Sequence, residues 1–170
     1  MAPESARIPI ELSKEDQQFL SQVVLQKTGV ALDNSKDYLI SNRLTPLLKE
    51  NNLASLAELV KRIRLSPNEP LLVQIINAMT THETMFFRDL KPFELLASKV
   101  IPKLIEKKKN TKTINVWSAA CSTGQEAFSL ATLIYDQFPQ LRTWQIKIFA
   151  TDISQEVLTK AKTGIYTQAD

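Results

Sequence analysis

The alternation of strand-like and helix-like segments in residues 113–164 most constrains the fold of this chain. Two apolar, β-branched runs, "TINVWSAA" and "QIKIFATD", are each followed by a turn and by a segment whose apolar residues have helical spacing. Gly124 lies in the first turn, while Ser154 can cap the second helix and Gly164 can end it. Strand–helix–strand–helix order is typical of a parallel sheet, so we predict an α/β fold here.

The first 80 residues show only helical patterns. Ser13 and Ser55 are predicted N-caps, Gly29 is a predicted left-handed C-cap, and Pro46 is expected to kink the second helix or to start a new turn. The pattern predicts four helices, at about 13–28, 36–48, 55–65 and 69–79. Short helices with short links favour a small helical bundle.

We therefore predict three regions. Residues 1–80 form an N-terminal helical domain, 81–113 form a linker and a long helix, and 114–170 form the first part of an α/β domain. The stretch "TTHETMFFRD" has no helical stripe and is predicted to be a loop, and the long helix is expected to start near Asp89 and reach about Lys108.

Composition excludes several classes of protein. The chain is 44% hydrophobic, has no apolar run near the roughly 20 residues of a membrane span, and starts without the apolar core of a signal peptide. One cysteine and one histidine argue against a disulfide and a metal site, and they fit a reducing cytoplasm. Cys121 is expected to be a packing residue. The net charge is +3, and no stripe of basic residues is interleaved with aromatics, so we do not expect nucleic acid as a partner. The lack of a long apolar run argues against membrane insertion.

Ligand chemistry is predicted where the two strands end. Ser122, Thr123 and Gly124 form a strand-to-helix turn, and ligands of open α/β sheets bind at the carboxyl ends of strands. Asp152 ends the second strand, where an acid can accept hydrogen bonds from both ribose hydroxyls of a nucleoside. The turn lacks G-x-G-x-x-G, and Glu126 in the first helical turn would repel a phosphate but suit an ammonium group. S-adenosyl-L-methionine combines an adenine nucleoside with an ammonium group and has no phosphate.

Structural roles remain open for both acids at this point. Glu126 would also be favourable beside the positive end of a helix dipole. Asp152 could instead cap the helix that follows it.

Three segments, "TTHETMFFRD", "VWSAACSTGQEAFSLA" and "ATDISQEVLTKAKTGIY", resemble in order and spacing the blocks of the chemoreceptor glutamate methyltransferases, the CheR family. The resemblance covers essentially all 170 residues. It implies a helical domain joined to a Rossmann-like S-adenosyl-L-methionine domain. It also implies methylation of glutamate side chains on the cytoplasmic helices of bacterial chemoreceptors, with S-adenosyl-L-homocysteine as the product, in chemotactic signal transduction.

The resemblance implies cofactor-binding roles for His82, Thr84, Arg88, Gly124, Glu126 and Asp152. Arg88 is also the candidate catalytic residue, since an arginine can face a carboxylate, although a salt bridge to a nearby acid is the alternative. This sequence departs from the family pattern at His82, which replaces an asparagine, and at Gln125 and Ala127, which replace a glutamate and a proline. No strong general base is required, because a substrate glutamate is already ionised at neutral pH.

The resemblance also implies receptor contact through the second helix, where Lys36, Arg43 and Lys49 are candidates and a solvated polar face is the alternative. Only two strands precede the end of the chain at Asp170, so we expect a truncated methyltransferase domain that is inactive alone. Its exposed sheet edges are expected either to pair with another copy of the chain or to leave the segment loose. Two other functions stay open, a non-catalytic receptor-binding fragment and another nucleotide-binding Rossmann-like domain.

Overall fold

The computed structural model describes residues 12–32, 37–66 and 70–167, which belong to two compact units divided between Thr81 and His82. Lys36 lies outside the described residues. The helices of the first unit are α1 Lys14–Thr28, α2 Asp37–Glu50, α3 Leu56–Leu65 and α4 Pro70–Met79.

Local capping chemistry fixes the ends of these helices, as predicted. The Ser13 hydroxyl accepts the Asp16 amide at 3.1 Å, and the Ser55 hydroxyl accepts the Glu58 amide at 3.2 Å. Gly29 ends α1 in the left-handed conformation, with φ 75°. Each cap satisfies backbone groups that a helix end would otherwise leave unpaired.

The core of the first unit is built from the inward faces of all four helices. Its fully buried side chains are Leu20, Val24, Leu44, Leu48, Leu59, Val60 and Ile75. Pro46 lies inside α2, which the structure describes as one helix from Asp37 to Glu50.

Arg43 joins α2 to the carboxyl end of α4. Its Nη1 donates to the carbonyl oxygens of Met79 at 3.1 Å and Thr80 at 3.4 Å, and its Nη2 donates to Thr81 Oγ1 at 3.3 Å. A cation is favourable there because the last carbonyls of a helix lack backbone partners.

The second unit contains a parallel sheet with helices on one face. Its elements in chain order are α5 Lys91–Leu95, a π-turn Leu96–Val100, α6 Ile101–Lys108, β1 Thr113–Ala119, α7 Gln125–Gln137, a 3₁₀ turn Pro139–Thr143, β2 Gln145–Thr151 and α8 Gln155–Thr163. Both strands, their parallel pairing and the helix after each strand agree with the sequence prediction.

The predicted long helix is present, but one segment of it, Leu96–Val100, is π-helical. The Ile101 amide donates to the carbonyl of Leu96, five residues earlier. Pro102 follows directly, has no amide hydrogen, and crowds the carbonyl four residues before it. A wider turn at this position accommodates the proline, an adjustment that periodicity alone does not indicate.

The two faces of the sheet differ in their surroundings. Ile114 is buried, and Val116, Ile146 and Ile148 pack with it in a cluster that contains helical side chains. Trp117 and Phe149 are paired in register on the opposite face, where they are 69% and 55% exposed. Parallel strands that are nearly continuous apolar runs are usually covered on both faces. Within the described part of the second unit, helices cover only one face.

Candidate functional site

The turn between β1 and α7 is held in an unusual backbone conformation. Ala120, Ser122 and Gly124 all have positive φ, at 60°, 50° and 100°. The Cys121 amide donates to the Thr151 carbonyl at 2.9 Å, which ties the turn to the end of β2. Non-glycine residues with positive φ cluster at ligand-binding sites, where surrounding contacts hold them in place.

The Asp152 carboxylate lies between the ends of the two strands. Its Oδ2 accepts the Ser122 amide at 2.8 Å, and its Oδ1 accepts the Ser154 amide at 2.9 Å. Ser154 itself caps α8, because its hydroxyl accepts the Val157 amide at 3.4 Å. Asp152 therefore precedes the cap, and its two oxygens are fixed by backbone donors while each retains capacity to accept another hydrogen bond.

Glu126 is oriented by a residue of β1. The buried Ser118 hydroxyl donates to Glu126 Oε1 at 2.6 Å, although Glu126 itself is exposed. Glu126 also lies in the first turn of α7, where a negative charge is favourable. Glu126 can therefore stabilise the positive end of the α7 dipole and also face a cationic group of a ligand.

The segment that precedes α5 makes backbone hydrogen bonds to the turn and to α7. The Ser122 hydroxyl donates to the His82 carbonyl at 2.7 Å, and the Phe87 amide donates to the Ser129 hydroxyl at 2.9 Å. These bonds attach the predicted loop to the β1–α7 turn and to α7. The side chains of His82 and Thr84 are partly buried.

Arg88 bonds to Glu83 within its own segment. Its Nη1 donates to the Glu83 carbonyl at 2.7 Å, and its Nη2 lies 3.8 Å from Glu83 Oε2. The arginine side chain is 48% exposed. The local salt bridge that was the alternative reading of Arg88 is therefore present in this structure.

The two residues at the start of α7 that differ from the family pattern, Gln125 and Ala127, have different surroundings. Gln125 is buried, and its Oε1 accepts the Thr123 hydroxyl at 2.7 Å. Ala127 is partly buried and lines a crevice of about 300 Å³ beside Phe128 and Ile148. A glutamine can take this buried position without the cost of removing a charge from water.

Cys121 is a buried packing residue with an inert thiol. Burial, together with the negative charges of Asp152 and then Glu126, raises the pKa of the Cys121 thiol above its ordinary value. The neutral thiol is a poor nucleophile, so this position does not suit covalent catalysis.

Sequence reasoning missed two contacts that shape the site. Ser118 was part of an apolar run, yet its hydroxyl orients Glu126. Tyr166 lies just after α8, and its hydroxyl donates to the Thr123 carbonyl at 2.7 Å. The apolar spacing of a strand gives no signal for a serine partner eight residues away, whereas the quoted block ending in "GIY" does contain this tyrosine.

The acceptor oxygens at the turn fit a ligand that carries a diol and a cation. Two carboxylates, Asp152 and Glu126, lie beside the amino end of α7, and their oxygens are hydrogen-bond acceptors. No group of three or more His, Cys, Asp or Glu side chains that could hold a metal occurs in the part of the chain that the structure describes. Across residues 12–32, 37–66 and 70–167, no helix is long and apolar enough to cross a membrane.

Two family descriptions match the chain. The CheR methyltransferase all-alpha domain matches residues 15–80, and the CheR methyltransferase SAM binding domain matches residues 82–170. The matched regions meet close to the division between the two compact units.

Curated relatives agree with this assignment. Chemotaxis protein methyltransferase Cher2 of Pseudomonas putida is 44% identical over 150 residues, which cover 85% of this chain and 54% of that protein. Chemotaxis protein methyltransferase 1 of Pseudomonas aeruginosa is 44% identical over 86% of this chain and 54% of its own length. A chemotaxis protein methyltransferase of Vibrio parahaemolyticus is 38% identical over 92% of this chain and 57% of its own length.

The chain thus spans about half the length of the curated relatives it matches. The matches confirm the predicted fold class, a helical N-terminal domain followed by an α/β domain of the methyltransferase type. By its two matched domains and its relatives, this chain belongs to the CheR methyltransferase family.

Proposed function

We propose that this chain supplies the cofactor site of a protein-glutamate O-methyltransferase that modifies bacterial chemoreceptors with S-adenosyl-L-methionine. The observation that carries the proposal is the pair of oriented carboxylates at the β1–α7 turn. Asp152 accepts two backbone amides and Glu126 accepts the Ser118 hydroxyl, so both acids are held beside the amino end of α7. Membership in a methyltransferase family supports the same activity.

Each acid fits a different part of the cofactor. Asp152 would accept the ribose hydroxyls, because its oxygens keep unused acceptor capacity and lie at the carboxyl end of a strand. Glu126 would face the ammonium group and disfavour a phosphate. Gly124 gives the turn its left-handed conformation, and His82 and Thr84 would add contacts from the segment bonded to the turn.

Methyl transfer at this site needs alignment more than acid–base chemistry. When bound, the cofactor would supply a methyl group on a positively charged sulfur. A glutamate carboxylate oxygen would bond to the methyl carbon while the carbon–sulfur bond breaks and its electron pair goes to sulfur, which would give a methyl ester and S-adenosyl-L-homocysteine without moving a proton. The protein therefore contributes positioning and the exclusion of water.

Arg88 is our candidate for orienting a carboxylate in this reaction. About half of its side chain is exposed, so a second carboxylate can approach the guanidinium while the bond to the Glu83 carbonyl is kept. The test is methyl transfer by Arg88→Met compared with Arg142→Met, with both substitutions made in a chain extended to the length of its relatives, because Arg142 lies over the ring of Tyr135 instead. Equal rates in the two variants would remove Arg88 from the proposal.

The N-terminal helices are the proposed receptor-facing part. Lys49 is exposed in the last turn of α2 and can meet an acidic receptor helix. Arg43 is already bonded to the end of α4, so its contribution would be to hold the bundle as well as to add charge. Lys36 remains a candidate on sequence grounds alone. A cytoplasmic location follows from the proposed substrate, the cytoplasmic helices of receptors.

Association of the chain with itself is a further proposal. The sheet of the described residues contains only β1 and β2, so each strand has one side without a partner strand there. Light scattering over a range of concentrations tests this. A monomer at all concentrations would contradict edge-to-edge pairing.

Calorimetry with S-adenosyl-L-methionine and with ATP separates the candidate functions. The proposal expects binding of the methyl donor that ATP does not displace. Displacement by ATP would favour another nucleotide-binding domain. Receptor binding without cofactor binding would favour a non-catalytic fragment. Transfer of a radiolabelled methyl group to receptor-containing membranes, measured with this chain and with a version extended to the length of its relatives, then tests the glutamate ester directly. A methyl ester releases its label in base but keeps it in acid.

A further inference from the structure

Tyr166 belongs to one of the three sequence blocks around the proposed cofactor site and contacts the other two. Its hydroxyl donates to the Thr123 carbonyl at 2.7 Å, in the turn after β1. Its ring packs edge-on against Phe86, with centroids 5.0 Å apart, and against Phe128 of α7, with centroids 5.5 Å apart. Tyr166 itself follows the glycine that ends α8. One side chain therefore links the loop before α5, the glycine turn and the end of α8.

Gly124 and Tyr166 fit each other closely. A Cβ built on Gly124 would lie 2.7 Å from the Tyr166 hydroxyl oxygen and 3.1 Å from the Ala161 Cβ. The first distance is far below a van der Waals contact, so even alanine would displace the tyrosine or the turn. Glycine is thus required here for space as well as for its φ of 100°.

The hydroxyl bond restrains a whole peptide plane. The Thr123 carbonyl and the Gly124 amide belong to one planar unit, and the Gly124 amide donates to the Cys121 carbonyl at 2.9 Å. The Tyr166 hydroxyl and the Cys121 carbonyl therefore hold this plane from its two sides. The next residue, Gln125, begins α7, whose first amides have no partner within the helix.

We propose that Tyr166 is a positioning residue of the cofactor site, which acts by fixing the Thr123–Gly124 peptide. The inference rests on the proposed function, because it assigns Tyr166 to the same turn. Through this peptide Tyr166 sets the direction of the first amides of α7 and the place of Glu126 beside them. A tyrosine that served only as an apolar anchor would need its ring but not its hydroxyl.

Tyr166→Phe separates these two roles, because it keeps the ring and removes the hydroxyl. Tyr135→Phe is the matched control, since Tyr135 is 62% exposed on α7. We expect the dissociation constant for S-adenosyl-L-methionine to rise roughly three- to tenfold in Tyr166→Phe and to stay unchanged in the control. We also expect faster amide hydrogen exchange at Gly124, with β1 unaffected.

A double-mutant cycle tests the contact independently of any ligand. Gly124→Ala should cost less stability in the Tyr166→Phe background than in the wild type, because the added methyl then meets no hydroxyl oxygen. The strain from positive φ is the same in both backgrounds and cancels. Strictly additive losses in melting temperature would overturn the close fit.

The outcomes distinguish this inference from the proposed function. If the wild type does not bind S-adenosyl-L-methionine, the proposed function is wrong for this chain, and exchange at Gly124 decides whether Tyr166 holds the turn. If the wild type binds and Tyr166→Phe binds equally well with unchanged exchange at Gly124, the positioning role is overturned. A lower melting temperature with unchanged affinity and exchange would leave Tyr166 a structural anchor and also overturn the proposal.

Discussion

Replacing Asp152 with alanine removes the acceptor on which the proposed nucleoside site depends most. In the structure its two oxygens accept the amides of Ser122 and Ser154 at 2.8 and 2.9 Å. The substitution therefore frees the turn after β1 and the start of α8 at once. Asp152→Asn cannot restore both bonds, because an amide group has only one acceptor oxygen.

The expected size of the effect follows from the charge of this acceptor. A hydrogen bond to a charged group contributes about 1.5–3 kcal/mol, and about 1.4 kcal/mol corresponds to a tenfold change in affinity. Loss of the ribose bonds should thus weaken S-adenosyl-L-methionine binding by roughly ten- to a hundredfold. The free energy of unfolding should fall by less than the full contribution of the two lost hydrogen bonds from Ser122 and Ser154. Asp152 is only partly buried, so water can reach the released amides.

Calorimetric titration of Asp152→Ala beside Asp136→Ala tests this expectation. Asp136 is an exposed aspartate on α7, so the control carries the same loss of charge. Thermal melting of both variants shows whether the weaker binding arises from unfolding. Equal dissociation constants for the wild type and Asp152→Ala would refute the ribose role, whatever happens to the melting temperature.

Three other substitutions or measurements test separate parts of the structure. Glu126→Gln should weaken cofactor binding about fivefold with little change in melting temperature; unchanged affinity with lower stability would assign Glu126 to the helix dipole alone. Burial raises the pKa of the Cys121 thiol in the folded state, so the protonated thiol favours folding. This contribution is fully present below the ordinary thiol pKa and is lost as the pH rises through the raised pKa of the folded state. Iodoacetamide at pH about 8 should therefore react much faster with the urea-unfolded chain than with the folded one, and equal rates would contradict the buried thiol. Arg43→Met should lower the melting temperature while Lys49→Met should not, since Arg43 bonds the end of α4; identical melting curves would show that this bond adds no stability.

The sequence was a good guide wherever a feature depends on residues close together in the chain. Ser13, Ser55 and Ser154 cap helices as predicted, and Gly29 and Gly164 end them in the left-handed conformation. These features need only a hydroxyl or a missing Cβ at one position. The two strands were equally clear, because β-branched apolar runs bounded by turns have few other structures available.

Features that depend on distant residues were not predicted. Arg43 meets residues 36 to 38 positions later, and Tyr166 meets Thr123 across 43 positions. A charged or aromatic side chain has the same local pattern whether it faces solvent or a partner. The roles of the six proposed cofactor-binding residues stay predictions, although the structure shows how the backbone orients Asp152 and how Ser118 orients Glu126.

The sheet face that stays uncovered within the described part of the second unit carries an intrinsic fluorescent reporter, Trp117. Trp117 is 69% exposed, and its indole nitrogen donates to Thr151 Oγ1 at 3.0 Å, so the ring is held in water at a fixed place on the sheet. The chain has one other tryptophan, Trp144, which is partly buried against the helical side of the sheet. Its emission is expected to stay constant when a molecule covers the outer face, whereas that of Trp117 should shift to the blue. Intrinsic fluorescence can therefore follow coverage of this face without any added label.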